Sequence, residues 1–320
     1  KNNKGTEDNR VRKLDYSIQL SKLFYERFIN DEDITLFSPH EVPELYKAWG
    51  TPEFDEVYQT AERKTSVSKK KVSAQTLFFD MLKERAETGR IYIMNIDHCN
   101  THSSFKDRIT MSNLCQEITL PTDPIQHIDG DGEIALCILS AINVGKINNI
   151  DELEPLCELA VRSLDEIIDH QLYPVKAAEI STKARRSLGI GYIGLAHYIA
   201  KNKFKYSEKG AWKLVDELTE AFQFYLLKHS NVLAQEKGKN EYFHRTKYSD
   251  GILPIDTYKP EVDEIVKRKL SYDWEWLRTQ IKEHGLRHST LSAQMPSESS
   301  SVVSNATNGI EPPRDYLSVK

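Results

Sequence analysis

Apolar positions recur along the chain in two rhythms. Leu77, Phe78, Met81 and Leu82 fall three and four residues apart, predicting an amphipathic helix over 74–88 with Gly89 in the stop position. Leu153, Leu156, Ala160, Leu164 and Ile167 repeat that spacing and predict a helix over 151–169. A long helix is expected over 209–237, ending at Lys237-Gly238, and another over 260–283. Glu41 to Trp49 is helix-like and is ended by Gly50. The extended stretches are Thr35-Leu36-Phe37-Ser38, Arg90 to Met94, and Ser289 to Met295 before a Ser-rich turn and a helix-like Val302 to Ala306. Ile134 to Leu139 is a continuous apolar run, the pattern of a strand buried on both faces. Strands separated by helices predict an α/β architecture with mostly parallel strands, and no repeat or low-complexity linker divides it. One domain is expected, from residue 13 to residue 320, behind a flexible polar segment over residues 1–12.

Composition narrows the class of function. The 320 residues are 39% hydrophobic and 28% charged, enough for a sizeable core under a well-solvated surface. A formal net charge of −5 argues against a nucleic-acid-coating protein. No run of 18 apolar residues offers a membrane span, and the first residues lack the apolar stretch of a secretory signal. Four unevenly spaced cysteines make no disulfide framework. A cytoplasmic protein is expected, in which a cysteine matters for its reactivity. The chain opens on Lys1 and stops just after strand-like Tyr316-Leu317-Ser318, so a portion of a longer polypeptide, truncated at both ends, is expected.

The richest chemistry lies in Ser112-Asn113-Leu114-Cys115-Gln116-Glu117-Ile118-Thr119-Leu120-Pro121-Thr122. Ile118, Thr119 and the terminating Pro121 predict an extended conformation. Asn113, Cys115 and Glu117 would then share one face, each roughly 7 Å from the next. An amide, a thiol and a carboxylate facing one small volume make a plausible catalytic set. On periodicity alone the commoner reading is a strand with a half-exposed polar face and an incidental cysteine.

Asn-x-Cys-x-Glu followed by Ile-x-Leu-Pro-Thr resembles the finger loop of class I ribonucleotide reductase large subunits. Further motifs follow in that family's order: Asp97-His98-Cys99-Asn100-Thr101-His102, Gly132-Glu133-Ile134-Ala135-Leu136-Cys137, and Lys183-Ala184-Arg185-Arg186-Ser187-Leu188-Gly189-Ile190-Gly191. The series closes with Met295-Pro296-Ser297-Glu298-Ser299-Ser300-Ser301 and Ser304 to Pro313. The resemblance runs from about Arg12 to Lys320. It implies part of a ten-stranded β/α barrel of two five-stranded halves, with helical inserts and the cysteine loop threading the centre. It also implies reduction of ribonucleoside diphosphates. Cys115 would be the thiyl radical that removes the 3′ hydrogen, Glu117 the base for the 3′ hydroxyl, and Asn113 a hydrogen-bonding partner of the ribose. Asn113, Leu114, Cys115, Gln116 and Glu117 would line the substrate together with Pro296, Ser297, Glu298, Ser299 and Ser300, whose turn would hold the diphosphate. The residue types suit those roles: a thiol can give up and regain a hydrogen atom, and an ionised carboxylate only accepts.

By the same resemblance Cys137 is one half of a redox-active pair whose partner lies upstream of Lys1. Read without the family, it is a small buried hydrophobe in an apolar strand. Ser297 to Ser301 read alone are an ordinary helix N-cap, which is compatible with a phosphate cradle. Cys99 and Cys157 are assigned to packing, and Asp97, His98, Cys99 and His102 lack a second ligand pair at zinc spacing, so no metal is expected. Gly189 to Gly194 match the dinucleotide pattern G-x-G-x-x-G, but no buried strand precedes them, so the glycines are read as allowing close helix packing. The resemblance implies that this chain binds no cofactor of its own. The radical would come from a di-metal small (β) subunit, the electrons from thioredoxin or glutaredoxin, and ATP or deoxynucleotide effectors would act on segments outside these residues. Two other readings are a cobalamin-dependent reductase and a non-catalytic nucleotide-binding portion active only with the missing segments.

Overall fold

A computed structural model of the chain describes residues 15–127 and 130–315. The flexible segment expected over 1–12 and the strand-like 316–318 lie outside the described residues. The chain packs as two units: Lys1–Ser103 with Arg108–Pro121, and Ser104–Asp107 with Thr122–Lys320.

In the first unit β1 (Tyr16–Leu20) and β4 (Ile91–Asn95) pair in parallel, with Ile18 opposite Ile93. Between them run α1 (Lys22–Ile29), β2 (Asp33–Phe37), α2 (Pro43–Ala48), α3 (Phe54–Arg63), β3 (Lys69–Ser73) and α4 (Ala74–Thr88); α5 (Ile96–His102) follows. β2 and β3 form an antiparallel ribbon. Ser21 caps α1 by accepting from Phe24 N, Ser73 caps α4 in the same way, and Gly89 closes α4 in the left-handed conformation at φ 65°. Leu20, Leu23, Phe24, Phe54, Tyr58 and Ala74 make the core. Arg27 clamps Glu62 at 2.5 and 2.7 Å, and Glu62 also accepts from the Thr35 hydroxyl at 2.6 Å.

The second unit holds β5 (Ile138–Asn143), α6 (Leu153–His170), α7 (Lys176–Arg185), β6 (Leu188–Ile193), α8 (Leu195–Lys201) and α9 (Lys209–Lys237). It continues through α10 (Glu261–Val266), α11 (Trp274–His284) and α12 (Glu298–Val303). β5 and β6 pair in parallel, and Ser292 bridges to Ile190 on the other side of β6. α6 lays Leu153, Cys157, Val161, Leu164 and Ile168 into the core that α9 and β6 complete. Each such side chain contributes roughly 1.5–3 kcal/mol by leaving water.

Several expectations need correction. Among the described residues the strands form three two-stranded sheets and no closed sheet. The mostly parallel α/β character therefore appears, while the ten-stranded barrel, of which these residues were expected to hold a part, is not traced by these three pairs. The apolar run 134–139 becomes strand only from Ile138, and Leu139 is exposed: hydrophobicity alone predicts a strand covered on both faces, but among the described residues only β6 pairs with it. The helix expected over 260–283 is broken, because Lys267 turns left-handed at φ 54° and Asp273 starts a new helix by accepting from Trp276 N. The last helix begins at Glu298, upstream of the expected Val302, because it takes in the serines themselves. Gly189 to Gly194 also differ: most of the motif is itself the buried strand β6. A Cβ on Gly189 would sit 2.7 Å from Cys137 Sγ, and one on Gly191 would sit 2.4 Å from the carbonyl oxygen of Ala293. These glycines admit neighbouring extended chain, not a helix.

Candidate functional site

Anchors fix the cysteine segment before it turns. Asn100 on α5 brackets Ile109, accepting from Ile109 N at 2.8 Å and donating to its carbonyl at 3.1 Å. Arg108 donates to the carbonyls of Tyr46, Lys47 and Trp49, and the Thr110 carbonyl accepts from Gln19 Nε2 at 2.8 Å. Ile109 and Leu120, at the two ends of the segment, are buried.

Between them the chain makes a tight turn, not the extended run expected. Gln116 N donates to the Asn113 carbonyl at 3.3 Å, and Asn113 N donates to the Ile118 carbonyl at 3.4 Å. The Asn113 side-chain Oδ1 accepts from Ile118 N at 3.2 Å. Gln116 adopts φ 64°. The alternating face predicted for Asn113, Cys115 and Glu117 is therefore replaced by one compact loop. Asn113 sits at its base, Leu114 and Cys115 at its tip, and Glu117 on the returning limb. The physical reason is the asparagine, whose side chain copies a backbone turn contact and so competes with strand pairing. Ser112-Asn113 carried that signal in the sequence, beside the opposing strand signal of Ile118-Thr119.

The Cys115 thiol is free and the residue is exposed. Its pKa is raised above the ordinary thiol value, first by partial desolvation and then by the carboxylates of Glu117 and Asp15. The shift favours S–H, the form that donates a hydrogen atom, over a nucleophilic thiolate. Glu117 Oε2 is buried and has no hydrogen-bond partner. The enclosed position implied for the cysteine loop at a barrel centre is not built among the described residues of its unit: the loop tip, Leu114 included, is exposed.

The second unit carries the other expected site residues. Cys137 is half-buried just ahead of β5, over the space that Gly189 leaves open. Ser297 is the buried N-cap position of α12; its N donates to Asn308 Oδ1 at 3.1 Å and its hydroxyl to the Met295 carbonyl at 3.0 Å. The Ser300 hydroxyl donates to the Ser297 carbonyl at 3.2 Å, while Pro296, Glu298, Ser299 and Ser300 are exposed. Nearby, Asn143 donates to the Ser304 carbonyl at 3.4 Å and Gly194 N to the Thr307 carbonyl at 2.9 Å. Asn143 Oδ1 and Thr307 Oγ1 are buried without hydrogen-bond partners. Neither residue was singled out by sequence reasoning.

Two buried charge networks were also missed. Arg185 forks onto Glu133 at 2.6 and 2.9 Å and reaches Asp107 at 2.8 Å, and Arg245 contacts the same two carboxylates. Arg186 binds Asp165 at 2.6 Å and Asp169 at 2.8 Å. Asp165 also meets His288 Nε2 at 3.1 Å, and His288 Nδ1 meets Ser230 Oγ at 2.9 Å. This serine, histidine and aspartate have the order of a hydrolytic triad. All three are fully buried, and burial, the largest influence on His288, depresses its pKa, so the set braces the core and meets no substrate. Cys157, buried on α6, has its pKa pushed up to about 12 by burial, which fits its assignment to packing. Among the described residues no group of three His, Cys, Asp or Glu side chains is placed to hold a metal. Nor, among the described residues, is any helix long and apolar enough to cross a membrane.

The ribonucleotide reductase barrel-domain family model matches residues 1–320. The chain is 56% identical over 326 aligned residues to the ribonucleoside-diphosphate reductase subunit alpha of Haemophilus influenzae. It is 56% identical to the ribonucleoside-diphosphate reductase 1 subunit alpha of Escherichia coli K12 and 45% identical to the subunit alpha of phage T4. Each alignment covers 100% of this chain and 43% of the relative, so the chain spans less than half the length of these proteins. With the family matched from end to end, this chain belongs to the ribonucleotide reductase barrel-domain family.

Proposed function

We propose that the chain is the catalytic portion of a ribonucleoside-diphosphate reductase large subunit. It would reduce ribonucleoside diphosphates to deoxyribonucleoside diphosphates for DNA synthesis, in the cytoplasm. The observation that carries this reading is the Asn113–Ile118 loop, which carries a thiol and a carboxylate two residues apart, in a chain matched throughout to subunits of that name.

In this mechanism the Cys115 sulfur, as a thiyl radical, takes the hydrogen atom from C3′ of the ribose and becomes S–H. Glu117 accepts the proton of the 3′ hydroxyl; its unpartnered oxygen suits that role. The 2′ hydroxyl takes a proton from the pair formed by Cys137 and a second thiol outside these residues and leaves as water. That pair gives its second hydrogen to C2′, supplies two electrons in all and becomes a disulfide; Glu117 returns its proton to the 3′ oxygen, and the Cys115 S–H returns its hydrogen atom to C3′ and is again a thiyl radical. The Asn113 amide, its Oδ1 already holding Ile118 N, has its NH2 group left to meet the sugar. The turn at Pro296, Ser297, Glu298, Ser299 and Ser300 would receive the diphosphate on first-turn backbone N–H groups.

The remaining parts lie with partners. The subunit naming of the relatives supports a β subunit that supplies the radical from a di-metal centre, and thioredoxin or glutaredoxin would regenerate the dithiol. ATP and deoxynucleotide effectors would bind elsewhere in the large subunit. The chain spans 43% of these relatives, which supports one further point: turnover needs parts of the large subunit beyond these residues, the thiol that pairs with Cys137 among them. Mixing the 320-residue chain with the β subunit and a dithiol tests this. No deoxynucleotide should form, whereas the complete large subunit should turn over. Robust turnover by the chain with these additions would refute the division of labour.

A further inference from the structure

One side of β1 contacts the cysteine loop at alternate positions. Residues two apart on a strand share a face. Gln19 Nε2 donates to the Thr110 carbonyl at 2.8 Å, leading the chain into the loop. Ser17 Oγ accepts from Gln116 Nε2 at the loop tip. Asp15, two residues before Ser17, lies near enough for its carboxylate to act on the Cys115 thiol. β1 itself is tied to β4 along its whole length.

Gln116 needs such a hold. At φ 64° it occupies the left-handed region, which residues with a Cβ rarely adopt. Gln116 directly follows Cys115, so whatever fixes its backbone also fixes the sulfur. Asn113 closes the loop at its base and its carbonyl takes the Gln116 N–H, while the Gln116 side chain is what ties the tip to β1.

We propose that Ser17 is a positioning residue for the reaction: its hydroxyl latches Gln116 to β1 and so sets where the Cys115 sulfur stands relative to the ribose. This rests on Cys115 being the reactive thiol. The latch acts on geometry alone, so it should leave substrate affinity untouched.

The test uses the complete large subunit with its β subunit. Ser17→Ala should lower kcat roughly 10- to 100-fold with KM within about twofold, since small misplacement of reacting groups costs rates of that order. Ser17→Thr keeps the hydroxyl and should restore kcat. Wild-type kcat in Ser17→Ala overturns the proposal, and so does equal loss in Ser17→Ala and Ser17→Thr. If Ser17→Ala fails to fold, Gln116→Leu removes the donor from the other side, and wild-type kcat there overturns it equally. Cys115→Ser serves as a control. Should that variant turn over, the reactive-thiol reading fails, and the latch is decided by alkylation of Cys115 with iodoacetamide. Freeing the loop in Ser17→Ala should speed alkylation at least roughly twofold, and Ser17→Thr should not. An unchanged alkylation rate sinks the latch by itself.

Discussion

Asn113 grips Ile118 twice: its side-chain Oδ1 accepts from Ile118 N at 3.2 Å, and its own N donates to the Ile118 carbonyl at 3.4 Å. Four residues, Cys115 among them, are thereby held in a closed loop whose base is one side chain. This gives Asn113 a structural task beside its proposed contact with the ribose.

The two tasks separate by mutation. Asn113→Asp keeps an acceptor for Ile118 N but loses the NH2 donor; Asn113→Ala loses both. Amide exchange at Ile118 should stay near wild type in Asn113→Asp and quicken about fivefold in Asn113→Ala, the value of one hydrogen bond of about 1 kcal/mol. Turnover of the complete subunit should fall in both. Full activity in Asn113→Asp would remove the amide from the reaction.

The pH dependence of Cys115 reactivity follows from its surroundings. Desolvation and the carboxylates of Glu117 and Asp15 disfavour the thiolate, so the alkylation midpoint should lie above that of an ordinary thiol, about 8.5. Glu117→Gln removes a negative charge, stabilises the thiolate and lowers the midpoint, so alkylation at pH 8 should quicken. Site-resolved mass spectrometry against pH checks this. A midpoint that does not move in Glu117→Gln would show that the carboxylate is too far away to matter.

Asp165 carries a stability prediction. It is fully buried, and Arg186, Arg287, His288 and Lys237 all lie within 3.6 Å of its carboxylate. Burial opposes its charge, but His288 and Arg186 hold its pKa well below the usual carboxylate range. Asp165→Asn should destabilise the chain by about 3–5 kcal/mol at pH 7 because it leaves buried cations unmatched. The depressed pKa means the contribution is fully present above the unfolded value near 3.9 and is lost only as pH falls through the folded value. Denaturant unfolding at pH 7 and at steps below pH 4 measures it. A deficit under 1 kcal/mol at pH 7 would show the network to be dispensable.

Legibility from the sequence was uneven for identifiable reasons. Local signals sufficed for α4 and α9: helical spacing ended by Gly89 and Gly238 gave both their limits. The break at Lys267 was hidden because a lysine in the left-handed region leaves no trace in hydrophobic spacing. The Asn113–Ile118 turn was misread as strand because β-branched residues outweighed one asparagine. Partners far apart in sequence were illegible altogether. Arg185 and Glu133 are 52 positions apart and Asp165 and His288 are 123 apart, and no periodic pattern links them. The motifs containing Arg185, Arg186 and Glu133 were noticed by resemblance, yet what they hold together appears only in the fold.

The most direct test concerns the Cys115 sulfur. In the complete large subunit with its β subunit and a dithiol, Cys115→Ser should bind a ribonucleoside diphosphate with near wild-type affinity and form no deoxynucleotide, because a hydroxyl cannot replace the thiol as a hydrogen-atom carrier. Continued formation of deoxynucleotide by Cys115→Ser would contradict the account.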